Sequence, residues 1–318
     1  MTTPDLQDLL SRACDSVRSE VGIGRVADYI PALACVDPNR FGAALVTVDG
    51  VTASYGDAAE AFSIQSISKV FSLALALNQL GAAVWDRVGR EPSGSPFNSI
   101  VQLESERGRP RNPFINAGAL VICDLLLEHY AGTANPGESA VQETKRALLS
   151  LVRSLADHTG VGMDAEVAAS EIATSDRNAS LAHFIRAFGN LHGAVAEVLD
   201  VYCHQCAIAM SCEQLARAGL FLANHGRDPL TGTVVVGTER ARRINALMML
   251  CGHYDASGEF AFRAGIPGKS GVGGGILAIV PNKAAIAVWS PCLNQHGNSR
   301  AGTAAMTAIA DATGWQAL

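Results

Sequence analysis

Long apolar runs are scarce in this sequence of 318 residues. The longest, residues 70–85, is interrupted by Ser72, Asn78 and Gln79 and falls short of the roughly 20 apolar residues that a membrane-spanning helix needs. Residues 1–17 alternate charged and apolar side chains, which predicts an amphipathic helix and not an export signal. We therefore expect a cytoplasmic protein without a membrane partner.

A concentration of charge of one sign is also missing. The chain has 24 basic and 30 acidic residues, which gives a net charge of -6, and its basic residues are scattered along the sequence. A nucleic-acid-binding surface requires a basic patch or stripe. We therefore expect no nucleic-acid partner, whereas a hydrophobic content of 48% is ample for a folded core.

The sequence lacks the paired Cys and His spacings of a zinc site. Cys203, His204 and Cys206 are close in sequence, but no second pair of ligands follows and Cys212 stands alone. The eight cysteines are expected to be buried free thiols in a reducing compartment, because no export signal is present. We predict no metal site.

β-rich segments occur toward both ends of the chain. Residues 41–55 predict a hairpin around Asp49-Gly50, which is a favoured two-residue turn. Helical periodicity dominates from Ser63 to about Gly226. Three further strands are predicted in the C-terminal part, at residues 259–263, 275–280 and 284–290.

This order of sheet, helices and sheet predicts an α/β fold with an insertion. We expect one α/β domain formed by residues 1–62 and 230–318, and an all-helical domain formed by residues 63–229. Clefts between two such domains are favoured places for small-ligand sites, so we expect the active site there.

Lysine is rare in this chain, with only four, at positions 69, 145, 269 and 283. Lys69 begins an apolar helical stretch and stands three residues after Ser66, so the two side chains share a helix face and can come within hydrogen-bonding distance. A desolvated lysine has a lowered pKa and can act as the base that activates a serine nucleophile. A serine in the first helical turn also lies near free N–H groups that can stabilise an oxyanion. The alternative interpretation is that Lys69 only snorkels out of a core helix.

The second unusual lysine is Lys269, in the glycine-rich segment of residues 265–275. A phosphate-binding loop would need a glycine at position 263, which is Arg263, and a helix after Ser270, where a strand is predicted. Gly271-x-Gly273 lacks the βαβ unit of a dinucleotide fingerprint. The segment fits instead the Lys-Ser/Thr-Gly strand of the penicillin-recognising Ser-x-x-Lys enzymes, which lies opposite the serine helix in that superfamily. A structural glycine-rich bulge is the alternative.

Beyond this superfamily, the sequence resembles the bacterial glutaminases and their animal counterparts over residues 29–282. The motifs that carry the resemblance are Tyr29-Ile30-Pro31, Gln65-Ser66-Ile67-Ser68-Lys69, Asn112-Pro113-Phe114-Ile115-Asn116-Ala117-Gly118-Ala119, Ser170-Glu171 with Arg177-Asn178, Tyr202-x-x-Gln205-Cys206, Tyr254-Asp255-x-Ser257-Gly258, and Lys269-Ser270-Gly271-Val272 with Gly274-Gly275-Ile276. The resemblance implies a β-lactamase-like fold, in which an antiparallel sheet flanked by helices carries an inserted helical domain.

The resemblance also implies the site residues. Ser66 would attack the amide carbon of L-glutamine, Lys69 would support proton removal, and the backbone N–H groups of Ser66 and Val272 would form the oxyanion hole. Tyr202 and Tyr254 would be the phenols nearest Ser66, with Tyr254 a candidate for passing the proton to ammonia. The residues that would bind the substrate are Tyr29, Ser66, Asn116, Glu171, Asn178, Tyr202, Tyr254 and Val272.

A pocket of this composition suits a free amino acid. Glu171 would hold the α-ammonium, and Tyr29, Asn116 and Asn178 would bind the carboxylate and the amide. The implied reaction is hydrolysis of glutamine to glutamate and ammonia through a glutamyl ester of Ser66, without a cofactor. The resemblance further suggests a homodimer or a homotetramer.

Two alternative functions stay open at the level of sequence. A β-lactamase or penicillin-binding transpeptidase shares the serine, the lysine and the Lys-Ser-Gly strand, but such enzymes act outside the cytoplasm. A non-catalytic glutamine-binding protein would use the same pocket, although such proteins usually lose the nucleophile or its base. Taken singly, Asn116 and Asn178 would be interpreted as capping or turn residues, and the tyrosines as packing.

Overall fold

A computed structural model describes residues 3–93, 99–133 and 137–316. The predicted N-terminal helix is present from Thr3, and its first two residues lie outside the described ones, as do residues 94–98, 134–136 and 317–318. The strands are β1 (Gly42–Thr47), β2 (Thr52–Gly56), β3 (Phe62–Ser63), β4 (Gly162–Met163), β5 (Ile208–Met210), β6 (Gly268–Ser270), β7 (Gly275–Val280) and β8 (Ala284–Trp289).

The α-helices account for most of the remaining chain. They are α1 (Thr3–Ser16), α2 (Pro31–Ala34), α3 (Ser68–Leu80), α4 (Val84–Arg87), α5 (Ile100–Ser105), α6 (Asn116–Ala131), α7 (Ala140–Ala156), α8 (Ala165–Ala173), α9 (Asp176–Ala187), α10 (Val195–Cys206), α11 (Cys212–Ala223), α12 (Thr238–Cys251), α13 (Ser257–Ala264) and α14 (Arg300–Thr313). Short 3-10 turns occur at Arg18–Glu20, Gln65–Ile67, Gly81–Ala83 and Tyr254–Ala256.

A five-stranded antiparallel sheet, in the order β2-β1-β8-β7-β6, joins the two ends of the chain. Its central strands are buried on both faces, and their side chains alternate between two cores. Leu277 and Ile279 face the core that α11 covers, whereas Ile276 and Ala278 face the core of α1, α13 and α14. The predicted α/β fold with an antiparallel sheet built from both ends of the chain is confirmed.

The predicted hairpin is present, but its strands are joined by residues 48–51 and not by the predicted two-residue turn. The strands at 275–280 and 284–290 are confirmed, but the segment at 259–263 is not a strand. It belongs to α13, which ends at Gly265 in the left-handed conformation with a φ of 63°. Phe260 and Phe262 are aromatic residues at alternate positions, a spacing that is also typical of strands. In the structure Phe260 and Ala264 are buried at a helical spacing of four, while Phe262 is 87% exposed.

The segment from Ser63 to Gly226 is not entirely helical. Strands β3, β5 and β4 form a second, three-stranded sheet in this order. Each has only two or three residues, which is too short for an alternating pattern to be visible in the sequence. A capping box of Ser211 and Gln214 begins α11.

The core of the helical part continues under the sheet. Helix α6 is buried on nearly all sides and is surrounded by α3, α7, α9 and α10. Helix α11 packs both on α7 and on β1, β7 and β8, so one continuous hydrophobic core joins helices and sheet. The domain boundaries at 62–63 and 229–230 stay a prediction.

By length and composition alone, the run Gln65–Arg87 could cross a membrane, in contrast to the expectation from residues 70–85. However, 67% of its most apolar window is buried inside the protein. The run is also divided into a 3-10 turn, α3, a second 3-10 turn at Gly81 and α4. These are the properties of a core helix, and a core helix passes the same test.

Candidate active site

Ser66 lies in the 3-10 turn Gln65–Ile67, directly before α3, and its side chain is buried. Gln65 adopts a left-handed backbone with a φ of 48°, which is unusual for a residue other than glycine. The segment between β6 and β7 packs against this turn. A Cβ atom at Gly271 would lie 2.4 Å from the carbonyl oxygen of Ile64 and 3.3 Å from the Ser66 nitrogen. Glycine at position 271 therefore allows the backbone next to Val272 to approach the serine.

Lys69, in the first turn of α3, is almost fully buried. Its Nζ donates to Asn116 Oδ1 at 2.7 Å and to the carbonyl oxygen of Phe114 at 3.4 Å, and it lies 5.7 Å from the centre of the Tyr202 ring. Burial lowers the pKa of Lys69 to about 8. The sequence predicted that Lys69 and Ser66 share a helix face, whereas the hydrogen bonds of the ammonium lead to Asn116 and Phe114.

Tyr254 is the phenol that contacts the serine. Its hydroxyl forms a hydrogen bond with Ser66, and it donates to the carbonyl oxygen of Ser270 at 3.3 Å. The residue has a φ of 55° at the start of the 3-10 turn Tyr254–Ala256. Loss of contact with water raises the pKa of Tyr254, and the same cause raises the pKa of the fully buried Tyr202.

Glu171, near the end of α8, provides a buried carboxylate at the site. Its burial raises the pKa of this carboxyl to about 7, while hydrogen bonds from Gln65 and Cys206 and the charge of Lys69 act in the opposite direction. Gln65 Nε2 donates to Glu171 Oε2 at 3.3 Å and to Ser63 Oγ at 3.0 Å. The side chain next to Ser66 thus orients the carboxylate.

These residues surround a cavity of about 230 Å³. It is lined by Tyr29, Ile30, Gln65, Ser66, Asn116, Glu171, Thr174, Arg177, Asn178, Tyr202 and Val272. Asn116 Nδ2 donates to Asn178 Oδ1 at 3.0 Å, so the two amides form one wall. Tyr29, which is 56% exposed, stands at the mouth.

Seven of the eight residues that the resemblance assigned to the substrate line this cavity. Tyr254 lies behind Ser66 and lines a separate small cavity with Asn112 and Ile115. Lys69 lies behind Asn116. Four further lining residues were not expected from the sequence: Ile30, Gln65, Thr174 and Arg177. Three of them stand next to assigned residues in the quoted motifs, and that adjacency was the available signal.

A separate group of possible metal ligands occurs at the surface of the helical part, formed by Asp124, Glu128 and His192. The guanidinium of Arg87 makes ion pairs with both carboxylates. Asp124 also accepts hydrogen bonds from the backbone of His192 and Gly193. The group is therefore explained as the junction between α4, α6 and the loop before α10.

The antiparallel sheet flanked by helices, with a serine turn facing a Lys-Ser-Gly strand, defines a β-lactamase-like hydrolase. A family model described as glutaminase matches residues 24–318 of the chain. A glutaminase of Agrobacterium fabrum is 58% identical over 311 residues, which cover 98% of each chain, and a thermolabile glutaminase of Rhizobium etli is 57% identical over the same lengths. The chain belongs to the glutaminase family and is an amidohydrolase.

Solved structures agree with this assignment. A probable glutaminase named YbaS is 38% identical, with a TM-score of 0.88 over 97% of this chain and 98% of that one. A probable glutaminase of Bacillus subtilis has a TM-score of 0.85 at 34% identity over 97% and 96% of the two chains. The glutamate form of Mglu has a TM-score of 0.88 at 38% identity, and covers 98% of this chain and 69% of that one.

Proposed function

We propose that this chain hydrolyses L-glutamine to L-glutamate and ammonia through a glutamyl ester of Ser66. The observation that carries the proposal is the single cavity that joins Ser66 to the buried carboxylate of Glu171 and to the amides of Asn116 and Asn178. A free amino acid is a zwitterion, so it needs an acid for its ammonium and hydrogen-bond donors for its carboxylate. The relative Mglu has been solved with glutamate, the product of this reaction.

Lys69 is suited to be the base. Its pKa of about 8 leaves a useful fraction of neutral amine near neutral pH. A neutral amine can donate its two hydrogens to Asn116 Oδ1 and to the Phe114 carbonyl, and its lone pair then stays available for the proton of Ser66. Asn116 therefore orients the amine as well as lining the cavity.

Two acyl-transfer steps follow from this arrangement. In the first, Ser66 Oγ gives its proton to Lys69 Nζ and attacks the amide carbon, and the N–H groups of Ser66 and Val272 stabilise the oxyanion. The C–N bond then breaks as the Tyr254 hydroxyl gives its proton to the leaving nitrogen, which departs as ammonia, and the proton held by Lys69 restores the hydroxyl. In the second, water attacks the ester carbon, its proton returns to Ser66 Oγ by the same route, and glutamate leaves. Tyr254 is suited to this role because its hydroxyl contacts Ser66 directly.

The first test is the variant Ser66→Ala. We expect ammonia release from glutamine to fall by at least about 10³-fold, because the ester cannot form. The thermal unfolding midpoint should change little, since only one buried oxygen is removed. Undiminished activity in this variant would refute the ester mechanism.

Substrate preference separates the remaining alternatives. Ammonia release should be measured with glutamine, asparagine and D-glutamine, and acylation of Ser66 with a labelled penicillin. Turnover of glutamine without penicillin acylation supports the proposal. Penicillin acylation would favour a β-lactamase-type enzyme, and binding of glutamine without turnover would favour a binding protein.

We also propose a cytoplasmic location and a homodimeric or homotetrameric state. The location is supported by the eight cysteines, all of which are free thiols, seven of them buried and only Cys35 exposed. The oligomeric state rests on the family resemblance alone. Light scattering of the purified protein and fractionation of its host cells are the measurements that test these two points.

A further inference from the structure

Lys269, on β6, is a second buried lysine and is completely inaccessible to solvent. Its Nζ donates to the carbonyl oxygens of Gly252 at 3.1 Å and of Ser270 at 2.5 Å, and among the described residues no carboxylate pairs with it. Burial, together with the nearby positive charge of Lys69, holds the pKa of Lys269 well below its usual value. A buried lysine without an anion is unfavourable for stability, so its presence calls for an explanation.

The side of Lys269 that faces Ser66 contacts Tyr254. Nζ of Lys269 lies over the face of the Tyr254 ring, 4.6 Å from its centre. The hydroxyl of the same tyrosine reaches Ser66. Lys269 does not line the substrate cavity, so it contacts the reacting atoms only through Tyr254.

Three contacts of Lys269 converge on the position of Tyr254. The amine covers the face of the ring, and it binds the carbonyl of Gly252, two residues before the tyrosine in the chain. The third contact is the Ser270 carbonyl, which also accepts the hydrogen bond of the Tyr254 hydroxyl. The Lys269 side chain therefore contacts the Tyr254 ring, the backbone that leads to it and the carbonyl that accepts from its hydroxyl.

Tyr254 needs such support because of its backbone. Its φ of 55° is a left-handed conformation that a bulky residue adopts only when its surroundings impose it. A ring free to relax from this conformation would carry its hydroxyl away from Ser66.

We propose that Lys269 is a positioning residue for the reaction, which holds the Tyr254 ring and the Ser270 carbonyl so that the tyrosine hydroxyl stays directed at Ser66 Oγ. The proposal rests on the proposed function, because it requires Tyr254 to take part in the chemistry at Ser66. In this arrangement the lysine of the Lys-Ser-Gly strand contacts Tyr254 and not the substrate.

The chain offers a matched control. Lys283 also places its Nζ over an aromatic ring, 5.8 Å from the centre of Trp315, but it is exposed and lies in the turn before β8. Lys283→Met thus removes a lysine and a ring contact far from Ser66. Lys269→Met makes the same change behind Tyr254 and keeps an unbranched side chain of similar length.

The experiment is a double-mutant cycle of Lys269→Met and Tyr254→Phe, with kcat and KM for glutamine measured in all four proteins. We expect Lys269→Met to lower kcat about tenfold and to change KM less than about threefold, because the substrate-binding residues are untouched. In the Tyr254→Phe background, where no hydroxyl remains to be positioned, the same change should lower kcat less than about twofold. Single-turnover ammonia release at high enzyme concentration replaces steady-state kinetics where kcat is too low. Lys283→Met should match the wild type.

Equal losses of kcat in both backgrounds, or a loss confined to KM, would overturn the positioning role and leave a structural one. Unfolding midpoints identify a variant that fails to fold, and in that case Lys269→Gln, which keeps a donor for the two carbonyls, takes its place in the cycle. A wild-type protein that releases no ammonia from glutamine would instead refute the proposed function. The two failures are therefore distinguishable.

Discussion

Burial of Glu171 has opposite effects on the stability of the empty site and on the proposed binding of substrate. Its folded-state pKa of about 7 lies above the ordinary value of 4.5, so folding favours the protonated carboxyl. The contribution of this group to stability is therefore greatest below pH 4.5 and is lost as the pH rises toward 7. The proposed binding of the substrate ammonium by Glu171 requires the ionised form, which is the form that destabilises the empty site.

We expect Glu171→Gln to raise the free energy of unfolding at pH 8 by about 1–3 kcal/mol, with a smaller effect at pH 4. The same variant should raise KM for glutamine by at least about tenfold, because the ammonium loses its charged partner. Urea unfolding at the two pH values and steady-state kinetics are the measurements. Glu166→Gln, an exposed glutamate on the same helix, is the control and should change neither. A Glu171→Gln protein that is less stable at pH 8 than the wild type would contradict the argument.

At the residue scale the sequence predicted the local spacing of the site residues, but not which distant side chains contact them. The three-residue separation of Ser66 and Lys69 predicted a shared face of one helix. The groups that contact them, Asn116 on the lysine and Tyr254 on the serine, are 47 and 188 residues farther along from Lys69 and Ser66. Spacing cannot reveal such contacts, because they depend on how distant elements pack. Only the family resemblance placed those residues at the site.

Among the elements, the close packing of the β6–β7 loop on the serine turn matters most for the chemistry. Gly271 and Gly273 bring the loop against Ile64 and Ser63, where a Cβ atom would lie 2.4 Å and 2.2 Å from the respective carbonyl oxygens. The sequence predicted glycines that allow a close approach at this strand. The structure shows that these glycines approach the backbone of the turn that carries Ser66.

We expect Gly271→Ala to lower kcat by at least about tenfold, because the loop must move away from the turn and the N–H of Val272 moves with it. KM should change less than kcat, since most of the cavity lies on other elements. Gly162→Ala on β4, where a Cβ meets nothing within 4 Å, is the matched control. An active Gly271→Ala enzyme would mean that the oxyanion donors lie elsewhere.

The elements that were not predicted from the sequence depend on tertiary packing. Strands β3, β4 and β5 have two or three residues, and their hydrogen bonds to one another are decided by tertiary packing. In α13 a five-residue alternation predicted a strand, but the packing of Phe260 under its neighbours selected the helix. The longer strands β7 and β8 are continuous apolar runs on either side of a turn, and they were predicted correctly.

For the molecule as a whole, the proposed substrate cavity is the place where several distant elements meet. Its lining comes from the segment before α2, the serine turn, α6, α8, α9, α10 and the β6–β7 loop. A ligand that contacts these elements together binds the folded state only, so it stabilises the entire fold.

We expect glutamate at about 100 times its Kd to stabilise the protein by about 2.7 kcal/mol, seen as a higher unfolding midpoint in a thermal scan. Glu171→Gln should lose most of this shift, while Glu166→Gln should keep it. A shift of equal size in the Glu171→Gln variant would show that glutamate binds outside the proposed cavity.

Cys35, the one exposed thiol, follows α2, and that helix begins directly after Ile30 of the cavity lining. A single maleimide dye can therefore be attached near the mouth of the site in the native protein, without removal of any other cysteine. A change in its emission on addition of glutamine or glutamate would report occupancy of the site in real time.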